Sequence, residues 1–143
     1  SLLILKEQPE KHILLPIESV NKSFVKAFNY ALTLGGSIEV YHVSTDPAVT
    51  EKLKKQFAAL GTDAQLVIEE APYRNVNETL LNHVDQRMNE LKKHEMLTVV
   101  LPQFVIRRRW HYLLHNQTSL LLRSSLIKRR NVAIISIPYI IPD

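Results

Sequence analysis

Five short apolar runs alternate with four helical stretches along this 143-residue chain, and no other property limits its fold so tightly. Residues 12–17, His-Ile-Leu-Leu-Pro-Ile, read as a buried strand. Residues 20–34 carry Phe24, Val25, Phe28, Ala31 and Leu32 at helical spacing, and Gly35-Gly36 ends that helix. Ser37 to Val43 alternates and is rich in β-branched residues, so it is a second strand. Asp46-Pro47 opens the next helix, with Asp46 as cap and Pro47 in the first helical position, and Gly61 closes it. Ala64 to Glu69 is a third strand. Residues 76–94 place Leu80, Leu81, Val84, Met88 and Leu91 on one helical face. Leu97 to Leu101 is a fourth strand, residues 108–127 a long helix with Trp110, Leu113, Leu114, Leu121 and Leu122 inward, and Asn131 to Ile137 a fifth strand.

Strict alternation with continuously apolar strands predicts a parallel sheet covered on both faces. Right-handed crossovers leave few topologies. The expected class is α/β, a three-layer α/β/α sandwich around a five-stranded parallel sheet of order 3-2-1-4-5. Residues 1–10 read as a leader or a linker from an upstream region, and residues 11–143 as one domain. The chain does not begin with Met, as expected of a domain within a longer protein.

Charge divides the chain. Between Glu95 and Asp143 there is no carboxylate, so residues 96–142 carry +7, whereas residues 1–95 carry eleven basic against thirteen acidic residues. Such a field favours an anionic partner: a nucleotide, a nucleic acid or an acidic membrane surface. With no cysteine, disulfides and thiolate metal sites are excluded. No apolar run reaches the roughly 20 residues of a membrane-spanning helix.

In open α/β sheets ligands bind beyond the carboxyl ends of the strands, where the strand order reverses. Here the crevice is lined by Pro16-Ile17-Glu18-Ser19 after strand one and by a loop from Pro102 to Arg109 after strand four, with Val43 ending strand two. Arg107, Arg108 and Arg109 therefore fall where the architecture expects a site. Guanidinium forks match phosphate oxygens in pairs, and a helix start adds unpaired N–H groups. Trp110 is a candidate base-stacking platform and His111 a hydrogen-bonding partner. The opposing readings are a solvated face, ion pairs of these arginines with Glu69, Glu70 or Glu95, and a core position for Trp110. Tyr73 and Arg74 follow strand three at the same end, where Arg74 reaches a ligand or pairs with Glu69 or Glu70. His111 and His115 are four apart but have no carboxylate nearby, so no metal site is expected. Asn77-Glu78-Thr79 and Asn116-Gln117-Thr118 match the glycosylation pattern, which a cytosolic domain would not use.

Catalysis has little support. The three glycines, Gly35, Gly36 and Gly61, build no phosphate-binding loop, no nucleophile elbow exists, and Glu18 is the one obvious acid at the site end. Binding without turnover is the expectation, with no required cofactor.

The element order and the opening Ile13-Leu14-Leu15-Pro16-Ile17-Glu18 resemble the universal-stress-protein fold. That resemblance implies adenine-nucleotide binding at the same crevice. Many members use an Asp after strand one and a glycine-rich loop after strand four. This chain has Glu18 in the first position, and Leu101-Pro102-Gln103-Phe104-Val105 and His115-Asn116-Gln117-Thr118 in place of the second. The strings APYRNV, TVVLPQFVIRRRWHYLLHNQTSLLLR and RRNVAIISIPY are similar to the cytosolic C-terminal domain of bacterial amino-acid-permease-superfamily transporters, a branch that includes potassium importers inhibited by cyclic di-AMP. The resemblance implies a regulatory domain after the membrane spans of a dimeric transporter, at the cytoplasmic face of the bacterial membrane. It implies cyclic di-AMP or another adenine nucleotide as ligand, with the two phosphates on Arg107–Arg109 and with Asn116 and Gln117 near it.

The fifth strand is the natural dimer edge, with Pro138 ending its pairing. The alternatives are a domain held electrostatically to the acidic inner leaflet with no small ligand, a nucleotide hydrolase, and nucleic-acid binding, for which no recognition module is present. Lys128 to Arg130 lie at the opposite end of the long helix from Arg107–Arg109. The basic block is therefore expected to be two patches, one for a ligand and one for the membrane, a partner or nothing.

Overall fold

The computed structural model describes Leu5, residues 10–72, residues 75–106 and residues 117–141, with residues 104–106 and 117–121 described in their backbone alone. Among the described residues nine elements alternate: β1 (His12–Pro16), α1 (Lys22–Leu34), β2 (Ser37–Ser44), α2 (Pro47–Ala59), β3 (Gln65–Glu70), α3 (Val76–Glu90), β4 (Leu97–Ile106), α4 (Gln117–Leu126) and β5 (Val132–Ile141). The strands form one sheet of order β3-β2-β1-β4-β5, and every pairing is parallel. The expected class and strand order are both observed.

Each face of the sheet carries its own core. Ile13, Leu15, Val40 and Val100 meet Phe24, Ala27 and Phe28 of α1 and Leu53 and Phe57 of α2. Leu14, Tyr41, Val99 and Leu101 meet Leu80 and Val84 of α3 and Leu126 of α4. Side chains alternate between the faces because strand residues have a period of two. Most of these residues are essentially inaccessible, and each fully buried Leu or Phe contributes roughly 2 kcal/mol.

Local signals set the helix ends. The Asn21 side chain accepts from the Phe24 amide at 2.8 Å, and that of Asp46 accepts from the Ala48 amide at 2.9 Å. Gly35 and Gly61 follow α1 and α2 with positive φ. Leu32, expected on the buried face of α1, is 54% exposed. The buried stripe is Phe24, Ala27, Phe28 and Ala31, and Leu32 lies past its edge, while Leu34 packs on the core instead. The third helix stops at Glu90, four residues before its expected end. There the Glu95 carboxylate accepts from the Lys92 amide and folds residues 92–95 into a turn.

Strands four and five depart most from expectation. Both run several residues further, pairing from Leu97↔Val132 to Ile106↔Ile141. Pro102 is therefore a strand residue, and Pro138 does not end the fifth strand. Proline removes a donor without removing an acceptor, and it is tolerated where a strand lacks a neighbour on one side. Pro138 is on the edge strand, and Pro102 lies beyond the β1–β4 pairs, which reach Val99. The result is a two-stranded ribbon, residues 102–106 against 137–141, overhanging the carboxyl end of the sheet.

Candidate functional site

β1 and β4 part at the carboxyl end of the sheet, where the strand order reverses. Of the residues that sequence assigns to this crevice, Pro16 ends β1 opposite Tyr41 and is half-buried, and Glu18 is exposed in the connection to α1. Val43 is half-buried on the α3 face, and Pro102 is half-buried at the root of the ribbon. Gln117 opens α4. Tyr73, Arg74, Arg107, Arg108, Arg109, Trp110, His111, His115 and Asn116 lie outside the described residues, as does the first part of the expected helix 108–127. The loop expected over Pro102 to Arg109 is corrected for residues 102–106, which belong to β4.

The wall formed by β1 is fixed by a buried polar chain. His42 Nδ1 donates to the Ile17 carbonyl at 2.8 Å, since a carbonyl accepts only. His42 Nε2 then accepts from the Thr50 hydroxyl at 3.1 Å, and the Thr50 and Ser44 hydroxyls meet at 2.5 Å. The ends of β1 and β2 are thus tied to α2 immediately before Glu18.

On the α1 side lies a groove of about 600 Å³ between the first half of α1 and the ribbon. Val20 and Val25 form its apolar floor, Lys22, Lys26 and Asn29 its polar rim, and Tyr139 its ribbon wall. Lys22, Val25, Lys26 and Asn29 share a face because three- and four-residue steps stack on a helix. Lys26 Nζ donates to the Pro138 carbonyl at 2.7 Å, joining α1 to the ribbon. An ammonium has three donors, so Lys26 keeps two for another acceptor. Among the described residues no carboxylate lines the groove. It is an open surface groove with a mostly apolar lining and two exposed lysines among the residues that line it. Sequence reading passed over Lys22, Lys26 and Tyr139. Their i, i+4 lysine spacing was visible, but only the overhang of β5 brings Tyr139 to them.

Two of the three acids named as partners for the arginines, Glu69 and Glu95, have other occupations, whereas Glu70 is exposed. Glu69 accepts from the Tyr41 hydroxyl, and burial together with that carboxylate pushes the Tyr41 phenol well above its ordinary range. Glu95 is held below the usual carboxylate range by the Lys92 amide and by His12, which it meets at 3.0 Å. In the second basic patch Arg129 is taken by Asp85, at 2.7 and 3.1 Å, and by the Ser125 carbonyl at 2.7 Å. Lys128 and Arg130 remain exposed there, at the amino end of the sheet.

Residues 10–139 match a family described as the KimA potassium transporter C-terminal domain. The chain belongs to that family. It is 29% identical to the potassium transporter KimA of Bacillus subtilis (strain 168) over 143 aligned residues, 96% of this chain. The match spans 24% of that relative. The family match takes in β1 to α4 in full, β5 as far as Tyr139, and with them the residues that line the groove. Among the described residues no helix is long and apolar enough to cross a membrane.

Proposed function

We propose that this chain is the non-enzymatic regulatory domain of a potassium-importer-like transporter of the amino-acid-permease superfamily, and that it senses an adenine-containing nucleotide such as cyclic di-AMP. The observation that carries the reading is the lysine-rimmed, apolar-floored groove beside Glu18, at the end of the sheet where ligands of open α/β folds bind. Lys22 and Lys26 supply charge for a phosphate, and Tyr139 a flat wall for a base. Arg107–Arg109 follow the end of β4 at Ile106 in sequence and add further phosphate-binding groups. Membership of a potassium-transporter domain family supports the transporter part of the reading.

Signal transfer requires that the nucleotide favour one arrangement of the assembly over another. We propose that this assembly is a homodimer and that its joint is the edge of β5. That edge carries ten residues, eight of them Val, Ile, Ala or Tyr, and among the described residues no further strand stands beside it. The nucleotide groove includes Tyr139 of the same strand, which gives occupancy a direct route to the dimer edge.

Calorimetric titration with ATP, AMP and cyclic di-AMP tests the reading. Saturable binding to one of them, weakened at least tenfold by Lys22→Ala with Lys26→Ala and by Arg108→Ala, is expected. No heat with any nucleotide would sink it, and turnover of ATP would replace it with a hydrolase.

A further inference from the structure

All five strands are parallel, so the connections α3–β4 and α4–β5 both reach the sheet at its amino end, opposite the groove. These two connections are joined by hydrogen bonds into one surface. The Leu97 amide donates to the Asn131 carbonyl at 2.9 Å, and Asn131 Nδ2 donates to the Lys93 carbonyl at 3.3 Å. Each turn is braced from within, by Lys92 with Glu95 in the first and by Arg129 with Leu126 in the second.

Two large apolar side chains stand out of this surface: Met96, 45% exposed, and Ile127, 69% exposed. Lys92, Lys93, Lys128 and Arg130 surround them in sequence and are exposed, and Lys11 is exposed where β1 enters beside β4. The nearby carboxylates are largely committed: Glu95 is buried against His12 and the Lys92 amide, Glu90 is paired with Arg87, and Asp85 with Arg129. Exposed Glu10 is the one acid beside the surface that holds no bond among the described residues. A positive surface with projecting apolar tips is therefore left with little internal compensation.

We propose that the amino end of the sheet docks on an anionic phospholipid surface. Met96 and Ile127 would enter the interfacial layer, while the five cations take headgroup phosphates. Long basic side chains suit such a plane because their stems lie along apolar matter while their heads stay wet. The cations are spread over two turns and a strand entry, which suits an extended anionic plane better than one small ligand. The position of the domain in a transporter agrees, since the segment that leads into β1 arrives at this same end. The inference is independent of the nucleotide groove at the other end, and either can fail without the other.

Co-sedimentation of the chain with vesicles tests it. Binding is expected to phosphatidylcholine vesicles containing one-third phosphatidylglycerol, and not to phosphatidylcholine alone. The triple variant Lys93→Gln, Lys128→Gln, Arg130→Gln should weaken it about a hundredfold, at about fivefold per cation. Met96→Ser with Ile127→Ser should weaken it further at raised salt, when the apolar contact dominates. Lys52→Gln, Lys54→Gln, Lys55→Gln on α2 removes the same charge from another exposed surface and should change binding by no more than a few fold. Equal loss in both triple variants, equal binding to neutral vesicles, or no binding to either overturns the proposal. A preference for soluble polyglutamate over the anionic vesicles overturns it in favour of an acidic polypeptide.

Discussion

The imidazole of His83 lies flat on the ring of Tyr41, with centroids 3.9 Å apart and planes 11° from parallel. Its Nε2 meets Glu39 at 2.6 Å, while Arg87 grips the same carboxylate through Nε and Nη2 and reaches on to Glu90. The Tyr41 hydroxyl continues the chain to Glu69. One side of α3 is thereby fastened to β2, and through Tyr41 to β3, by polar contacts added to the apolar packing of that face.

This fastening makes stability acid-sensitive. Burial alone would raise the Glu39 pKa, but the hydrogen bonds from His83 and Arg87 outweigh it and bring it down to about 2 from 4.5. The unfolded chain therefore takes up this proton first as pH falls. The contribution of Glu39 is complete above about pH 4.5 and is lost progressively towards pH 2. It is worth about 2 kcal/mol, and Glu39→Gln should remove that part of the slope while lowering stability at pH 7. Urea midpoints measured across this range check it; an unchanged slope in the variant would assign the acid sensitivity elsewhere.

Gly36 should be the costlier of two adjacent glycines to replace. Its φ is +97°, and a Cβ there would stand 2.2 Å from the Lys11 carbonyl oxygen, which already accepts from the Ser37 amide at 3.0 Å. Relief requires moving the first pair of the β1–β2 ladder. Gly35 has φ +74° but open space around the added carbon, leaving backbone strain alone. Gly36→Ala is expected to cost about 3 kcal/mol and Gly35→Ala about 1 to 2 kcal/mol. Thermal unfolding of the two variants ranks them directly.

The sheet was legible because its signals are local. Apolar runs, the Asp46-Pro47 cap and the glycines after α1 and α2 act within a few residues, and handedness fixes the strand order. The ends of β4 and β5 were not legible. Pro102 and Pro138 read as terminators by local rule, whereas their tolerance depends on which strand stands beside them, a property of the assembled sheet. The groove was hidden for the same reason, since Tyr139 becomes its wall only if β5 runs past Pro138. His83 was passed over because one histidine among apolar helix positions gives no hint that Glu39, Tyr41 and Arg87 converge on it.

Ser23 offers a stabilising change. It sits in the first turn of α1, is 1% exposed, and its hydroxyl has no hydrogen-bond partner among the described residues. A buried hydroxyl without a partner loses its hydration and gains nothing in return. Ser23→Ala removes that penalty and improves helix propensity, so a gain of about 1 kcal/mol is expected. A higher urea midpoint with an unchanged slope would confirm it. A loss would mean that the hydroxyl has a role in the folded chain that its surroundings do not reveal.

Arg129 should behave unlike its neighbours Lys128 and Arg130. Its guanidinium is held by both carboxylate oxygens of Asp85 and by the Ser125 carbonyl, so it joins the α4–β5 turn to α3 and has little left for an outside anion. Asp85 is about half exposed, so solvent screens the pair and their coupling should be about 0.5 to 1 kcal/mol in a double-mutant cycle of Arg129→Gln and Asp85→Asn. Raised salt should shrink that coupling. In the vesicle assay Arg129→Gln should change affinity less than Arg130→Gln, although both remove one positive charge. If Arg129→Gln has the larger effect on vesicles and none on stability, the pair with Asp85 does not persist in solution, and the arginine belongs to the membrane-facing set.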